Sequence, residues 1–206
     1  MKSILHNILG SKKKKSFVTI VSGLPRSGTS MMMQMLEAGG MTIMTDKIRK
    51  PDEDNPRGYY EFEKVKKIKE DASWLWNCEG KAFKMVSALL YDLPMERGYK
   101  IIFIRRKMEE MLASQAAMLE RMGRKGADIS DEEMAEKYFT HLRDIENWLA
   151  QQKVIDVLYI SYNDVIMYPI ENASTVNSFL GNWLNVEKMS SVVDKSLHRQ
   201  RSQKDH

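Results

Sequence analysis

The chain has 206 residues, 43% of them hydrophobic, which suffices for one α/β domain with a buried core but not for two full domains. Its 32 basic and 28 acidic residues give a net charge of +4, and the lysine run at residues 12–15 supplies that whole excess, so a basic nucleic-acid-binding surface is not expected. The single cysteine, Cys78, excludes an internal disulfide and a cysteine-rich zinc module. No apolar stretch approaches the ~20 residues of a membrane-spanning helix. We therefore expect a soluble, cytoplasmic protein whose residues 1–16 form a basic flexible tail with at most a peripheral membrane contact.

The first predicted element is a strand, a glycine-rich loop and a helix over residues 17–38. An apolar run at residues 17–21 is typical of a strand buried on both faces. After the loop, apolar residues recur at the spacing of a helix, at Met31, Met32, Met35 and Leu36. Backbone N–H groups and the positive end of a helix dipole face such a loop, so it predicts a phosphate or sulfate site.

The loop, GLPRSGTS at residues 23–30, nearly satisfies the nucleotide-binding pattern G-x-x-x-x-G-K-[ST]. Thr29 stands where an NTPase carries the lysine that reaches the β- and γ-phosphates, and Arg26 lies three residues earlier. The loop is therefore expected to hold a diphosphate-like ligand without a γ-phosphate, with Arg26 as a charge on the bond that breaks. A P-loop kinase-like nucleotide-binding enzyme is the alternative within the same architecture.

Beyond this unit, a short strand is predicted at residues 41–44 and an amphipathic helix at 61–70, with Phe62, Val65 and Ile68 facing inward. Residues 47–60 between them contain two prolines, a glycine and mixed charges. A loop of this length is typically functional rather than merely connecting, so we expect it to shape an acceptor site, together with Trp74 and Trp76.

The rest of the chain continues to alternate strands and helices. Further strands are predicted at residues 81–86, 99–104 and 154–160. Helices are predicted at residues 108–122, from a capping box at 130–133 to 149, and in a segment ending at Gly181. This alternation predicts an α/β fold with a three-layer parallel sheet flanked by helices, which binds ligands beyond the carboxyl ends of its strands.

The motif PRSGTS at residues 25–30 resembles the 5′-phosphosulfate loop of the sulfotransferases. These enzymes transfer a sulfuryl group from 3′-phosphoadenosine 5′-phosphosulfate (PAPS) to a hydroxyl or amine and release the desulfated nucleotide PAP. The resemblance implies the P-loop NTPase-like sulfotransferase fold. It also implies that the 5′-phosphosulfate is held by Pro25, Arg26, Ser27, Gly28, Thr29 and Ser30.

Two later segments are similar to the same family. Sulfotransferases place an arginine at the end of a central strand and a serine eight residues later, both on the 3′-phosphate, and Arg106 and Ser114 have this separation. The guanidinium of such an arginine and the hydroxyl of such a serine can both donate hydrogen bonds to one phosphate. The segment LYISYNDVIMYP with the later FLG resembles the family's fifth strand, turn and helix, which gives Tyr162 an adenine contact; Asn163 replaces the usual acidic residue.

By the same resemblance, Lys84 corresponds to a strand-borne lysine that stabilises charge on the transferring group together with Arg26. The family's histidine base is absent, because Val86 stands two residues after this lysine. Other members take an acid from the loop, and we favour Asp46 and then Glu61. The other acids of that loop are Asp52, Glu53 and Asp54. No metal is expected.

We therefore expect a single sulfotransferase domain at residues 17–195 and a basic, polar C-terminal tail at 196–206. The family's glycine-rich basic C-terminal segment is missing, and Arg199 and Arg201 are its candidate substitutes. The expected activity is metal-independent, in-line sulfuryl transfer from PAPS to a hydroxyl or amine of a small molecule, glycan, lipid or peptide. A degenerate, non-catalytic binder of a phosphorylated ligand is the second alternative. The sequence does not indicate the oligomeric state.

Overall fold

The computed structural model describes residues 17–199, apart from 47, 53, 54, 56, 125, 127 and 128. The predicted tail 1–16, the candidate acids Glu53 and Asp54, and Arg201 lie outside the described residues. Among the residues that are described, no helix is both long and apolar enough to cross a membrane.

The fold is built on one parallel sheet, which confirms the predicted class. Over the described residues its strands are β1 (Phe17–Gly23), β2 (Thr42–Ile43), β3 (Lys81–Val86), β4 (Gly98–Arg105) and β5 (Ile155–Ser161), in the order β2-β3-β1-β4-β5. The register pairs Gly23 with Val86 and with Ile104, so β1, β3 and β4 end at the same edge. Since the strand order reverses around β1, this edge is where such a sheet forms a ligand crevice.

Helices cover both faces of the sheet. They are α1 (Thr29–Ala38), α2 (Met108–Arg121), α3 (Asp131–Ala150), α4 (Tyr162–Met167), α5 (Pro169–Leu180) and α6 (Val186–Ser191). Alternate residues of β1 enter opposite cores: Val21 packs with Met32 and Val176, and Ile20 packs with Phe83 and Ile145. Before α3, the predicted capping box is confirmed, since the Ser130 hydroxyl accepts from the Glu133 N–H at 3.2 Å.

The described part of the chain differs from the predicted elements in several places, and the 3₁₀ helices Ser73–Asn77, Ser87–Asp92 and Lys195–Leu197 were not predicted. The helix expected at 61–70 is a 3₁₀ helix over Glu63–Lys67, because its inward residues Phe62, Val65 and Ile68 recur every three residues, the period at which 3₁₀ side chains align. The helical segment after β5 is divided at Pro169, which starts α5. Helix α6 was not predicted.

Candidate active site

A cavity of about 480 Å³ opens at the shared carboxyl edge of β1, β3 and β4. The glycine-rich loop forms its floor, and its walls come from β3, from one face of α2, from the loop before residue 62 and from residues 192–199. The candidate residues that line it are Pro25, Arg26, Gly28, Thr29, Ser30, Glu61, Lys84, Arg106, Ser114, Tyr162 and Arg199. The structure thus brings together most of the side chains that the sequence selected from distant segments.

The glycine-rich loop is packed so tightly that it excludes side chains at two positions. Gly28 has a φ of +104°, and a Cβ there would lie 2.3 Å from the Tyr162 ring. A Cβ on Gly23 would lie 2.6 Å from the Ile104 carbonyl oxygen. Arg26 between them adopts a left-handed backbone with a φ of +66°. Helix α1 begins immediately after Gly28, so its first N–H groups lie at the cavity, as in an anion-binding helix start.

Arg26, Ser114 and Arg106 meet on the α2 side of the cavity. Arg26 Nε donates to Ser114 Oγ at 3.0 Å, and Arg106 Nη1 donates to the Arg26 carbonyl oxygen at 3.2 Å. The Arg106 guanidinium also lies 4.3 Å from the centroid of the Tyr162 ring. Two arginines, a hydroxyl and an aromatic ring, separated by many residues in sequence, therefore form one cluster suited to an anionic nucleotide.

Lys84 lies on the β3 side of the same cavity. Its Nζ donates to Ser30 Oγ at 3.3 Å and also to the Tyr59 carbonyl oxygen. Burial lowers the pKa of Lys84 to about 8; Glu61 opposes this effect and the cations Arg49 and Arg26 add to it. Lys84 is thus a partly buried cation beside the first turn of α1.

The two acids favoured as the general base occupy different positions. Glu61 lines the cavity, with Oε1 3.3 Å from Arg49 Nη1 and Oε2 3.6 Å from Lys66 Nζ. Asp46 is not among the described residues that line the cavity, and its carboxylate accepts from the N–H groups of Glu63 at 2.6 Å and Ile48 at 3.1 Å. Partial burial raises the pKa of Asp46, but these backbone donors outweigh it and hold the pKa below its usual value.

Four other residues expected at the site, Ser27, Asp52, Trp74 and Trp76, are not among the described residues that line the cavity. The Ser27 side chain is 1% exposed and lies under the loop near Gly23, and its hydroxyl has no hydrogen-bond partner among the described residues. Asp52 accepts from the Tyr59 hydroxyl at 2.7 Å. Trp74 is in the core, and Trp76 stacks on Arg97, so neither indole forms the expected wall of the cavity.

Sequence reasoning missed two residues next to this cluster. Glu110 accepts from Arg106 Nε at 2.9 Å, and His198 Nε2 lies 2.8 Å from the same carboxylate. Arg106 lies just before α2 and Glu110 lies in its first turn, and their four-residue separation could have indicated the ion pair. His198 falls beyond the domain boundary expected at residue 195, yet it is 8% exposed.

A sequence model of the family described as "Sulfotransferase domain" matches residues 18–205. The chain belongs to the sulfotransferase domain family. No curated protein matches it by direct sequence comparison. The match to the family model confirms the family expected from the loop motif and from the two later segments.

Solved sulfotransferase structures share the fold. The sulfotransferase domain of the curacin biosynthetic pathway is 13% identical, with 91% of this chain and 92% of that chain covered at a TM-score of 0.53. The mouse sulfotransferase SULT7A1, complexed with PAP, is 16% identical, with 91% and 68% covered at 0.57. The sulfotransferase domain of the Synechococcus PCC 7002 olefin synthase is 14% identical, with 92% and 89% covered at 0.52. These likenesses show a shared fold, and the sulfotransferase family is shown by the sequence model over residues 18–205.

Proposed function

We propose that this sulfotransferase uses PAPS as its donor and transfers the sulfuryl group to a hydroxyl or amine acceptor without a metal ion. The observation that carries the proposal is the Arg26–Ser114–Arg106 cluster, which shares one cavity with Lys84 and Ser30. A nucleotide with two anionic ends needs two such groups of donors. The PAP bound in the mouse relative supports the same donor here.

The charge of the cavity fits this donor. Among the described residues, its lining contains seven lysine and arginine side chains and two acidic ones. The basic residues are Arg26, Arg49, Lys66, Lys84, Arg106, Arg121 and Arg199, and the acidic ones are Glu61 and Asp194. Gly23 and Gly28 carry no side chain, so at these two positions the loop backbone can approach a phosphate closely.

In the proposed assignment, the two groups of donors hold opposite ends of the nucleotide. Pro25, Arg26, Gly28, Thr29, Ser30 and Lys84, which line the cavity, would face the phosphosulfate. Arg106 and Ser114 would face the 3′-phosphate, and Tyr162 the adenine. The acceptor half of the cavity is the part beside Glu61, where the lining is apolar at Phe62, Val65, Val86 and Leu89. The proposal keeps residues 17–195 as one domain and adds Leu197 and Arg199, which line the cavity beyond that boundary.

PAPS supplies an activated sulfuryl group, whose bond to the 5′-phosphate oxygen breaks while a bond from sulfur to the acceptor oxygen or nitrogen forms. Lys84 and Arg26 would stabilise the negative charge on the sulfuryl oxygens and the departing phosphate. Glu61 would accept the acceptor's proton, since it lies in the cavity and Asp46 does not. Positioning and fixed charges thus account for catalysis.

Calorimetric titration with PAP tests the donor site. Arg106→Ala is expected to raise the Kd for PAP about 10- to 100-fold, because it removes a charged hydrogen-bond donor to the 3′-phosphate. Arg105→Ala is the matched control, because Arg105 is an exposed neighbour that pairs with Glu146 at 2.6 Å. The proposal fails if the native protein does not bind PAP or if both variants weaken binding equally. A screen with labelled PAPS over sugars, lipids, phenols and peptides then identifies the acceptor.

A further inference from the structure

We infer that Glu110 and His198 are positioning residues that hold Arg106 ready for the 3′-phosphate of the donor. This inference rests on the proposed function. Neither residue was selected by the sequence, and neither is among the residues that line the cavity. Their effect on the ligand is therefore exerted through Arg106 and through the C-terminal wall.

Glu110 connects three separate parts of the chain. Its side chain is fully buried, and its Oε2 accepts from Arg106 Nε at 2.9 Å and from His198 Nε2 at 2.8 Å. Its Oε1 accepts from Asn163 Nδ2 at 3.0 Å. The start of α2, the start of α4 and the C-terminal segment are thus joined at one carboxylate.

The carboxylate of Glu110 is charged at neutral pH. Burial raises its pKa, but the hydrogen bonds from His198, Arg106 and Asn163 outweigh burial and bring the pKa below its usual value. An ionised carboxylate only accepts hydrogen bonds, so His198 Nε2 carries the proton of this contact. Losing one donor would leave a buried charge less well compensated.

These contacts restrict the Arg106 guanidinium on several sides. Glu110 holds Nε, the Arg26 carbonyl oxygen holds Nη1 and the Tyr162 ring lies 4.3 Å away from the guanidinium carbon. A freely rotating arginine would lose side-chain entropy when it binds a phosphate. An arginine already fixed in place loses less, so binding is tighter.

His198 also fixes the C-terminal wall of the cavity. Its ring packs edge-on against Tyr162, with centroids 5.4 Å apart and an angle of 85° between the ring planes. Its neighbours Leu197 and Arg199 both line the cavity. Anchoring His198 on Glu110 therefore sets the position of the segment that carries Arg199.

The test compares two nucleotides that differ only in the 3′-phosphate. The Kd values of PAP and of AMP are measured by calorimetry for the native protein, His198→Ala, His198→Gln and Glu110→Gln. His198→Ala and Glu110→Gln are expected to raise the Kd for PAP about tenfold and to raise the Kd for AMP, which shares the Tyr162 contact, much less. His198→Gln retains an N–H donor and is expected to restore most of the PAP affinity.

Glu109→Gln is the matched control, because this exposed neighbour on α2 does not line the cavity. Thermal unfolding of every variant shows whether it is folded, and if Glu110→Gln does not fold, the two His198 variants decide the test. Equal weakening of PAP and AMP, or unchanged PAP binding in His198→Ala, overturns the inference. A native protein that does not bind PAP overturns the proposed function instead, so the two failures are distinguishable.

Discussion

Lys84 and Ser30 meet at the carboxyl edge of the sheet, where Nζ lies 3.3 Å from Oγ. The contact joins the cation of β3 to the first turn of α1, although 54 residues separate the two in sequence. Because burial lowers the pKa of this lysine to about 8, its charge changes within an accessible pH range. The pH dependence of the reaction therefore reports on Lys84.

We expect kcat/KM to fall as pH rises through about 8, because the neutral amine of the free enzyme stabilises no negative charge. Lys84→Met should lower kcat roughly 100- to 1,000-fold. Lys84→Arg keeps a permanent charge, so its profile should lack the alkaline fall even if its rate is lower. A native profile that stays flat to pH 10 would contradict this role for Lys84.

Glu61→Gln should lower kcat by about 100- to 10,000-fold, because an amide cannot take the acceptor's proton. Its Kd for PAP should remain close to the native value. Asp46→Asn is the comparison, because Asp46 holds the N–H groups of Glu63 and Ile48 outside the cavity. That variant should retain kcat. The opposite pattern of rates would make Asp46 the base.

Asp46→Asn should also lower the free energy of unfolding by about 1 kcal/mol near neutral pH. Because the folded pKa of Asp46 lies below its unfolded value near 4, this contribution is present above that pH and is lost as pH falls through the folded pKa. Urea titrations at pH 7 and pH 3 should therefore show a smaller difference between native and variant at pH 3. An equal difference at both values would argue against the ionised carboxylate as its source.

Gly28→Ala should destabilise the protein more than Gly40→Ala. The two glycines have nearly the same φ, +104° and +102°, but only at Gly28 would a Cβ meet the Tyr162 ring. Both variants carry the backbone strain of about 1 kcal/mol, and Gly28→Ala should add about 1–3 kcal/mol of steric cost. Urea unfolding measures the difference. Equal losses of stability would mean that the loop can shift away from Tyr162.

EDTA should leave sulfuryl transfer unchanged, and MgATP should not compete with PAP. Over the described residues, no group of three or more His, Cys, Asp or Glu side chains is placed to hold a metal ion, and Thr29 replaces the lysine of an NTPase. A radiolabelled transfer assay with and without EDTA measures the first expectation, and competition calorimetry the second. Magnesium-dependent ATP binding would favour the kinase-like alternative.

Local sequence patterns predicted the sheet and the long helices well. The strands are short apolar runs, and a capping box marks the start of α3. Both signals lie within a few neighbouring residues, so they can be read from the sequence. The helix expected at 61–70 was wrong because Phe62, Val65 and Ile68 fit periods of both 3.0 and 3.6 residues over so short a stretch.

Arg106 and Ser114 could be selected from the sequence because the sulfotransferase resemblance supplies their separation, and the structure places both at the cavity. The contact of Glu110 with His198 joins residues 88 positions apart, and no local period reports such a pair. The sequence also placed Asp46 before Glu61 as the candidate base. Which of the two lies in the cavity depends on the path of the loop between them, and tertiary contacts set that path. Asp46 caps backbone N–H groups, and Glu61 lines the cavity.

The left-handed backbone of Arg26 bears on how this loop can evolve. A φ of +66° costs a non-glycine residue roughly 1–2 kcal/mol, whereas glycine adopts it freely but loses more chain entropy on folding. Arg26→Gly would therefore change overall stability little while removing the guanidinium from Ser114. On the role proposed for Arg26, selection for a stable fold would accept glycine at this position, and selection for the ligand would retain arginine. Loss of the arginine in a related chain would accordingly mark a lost activity in a protein that still folds.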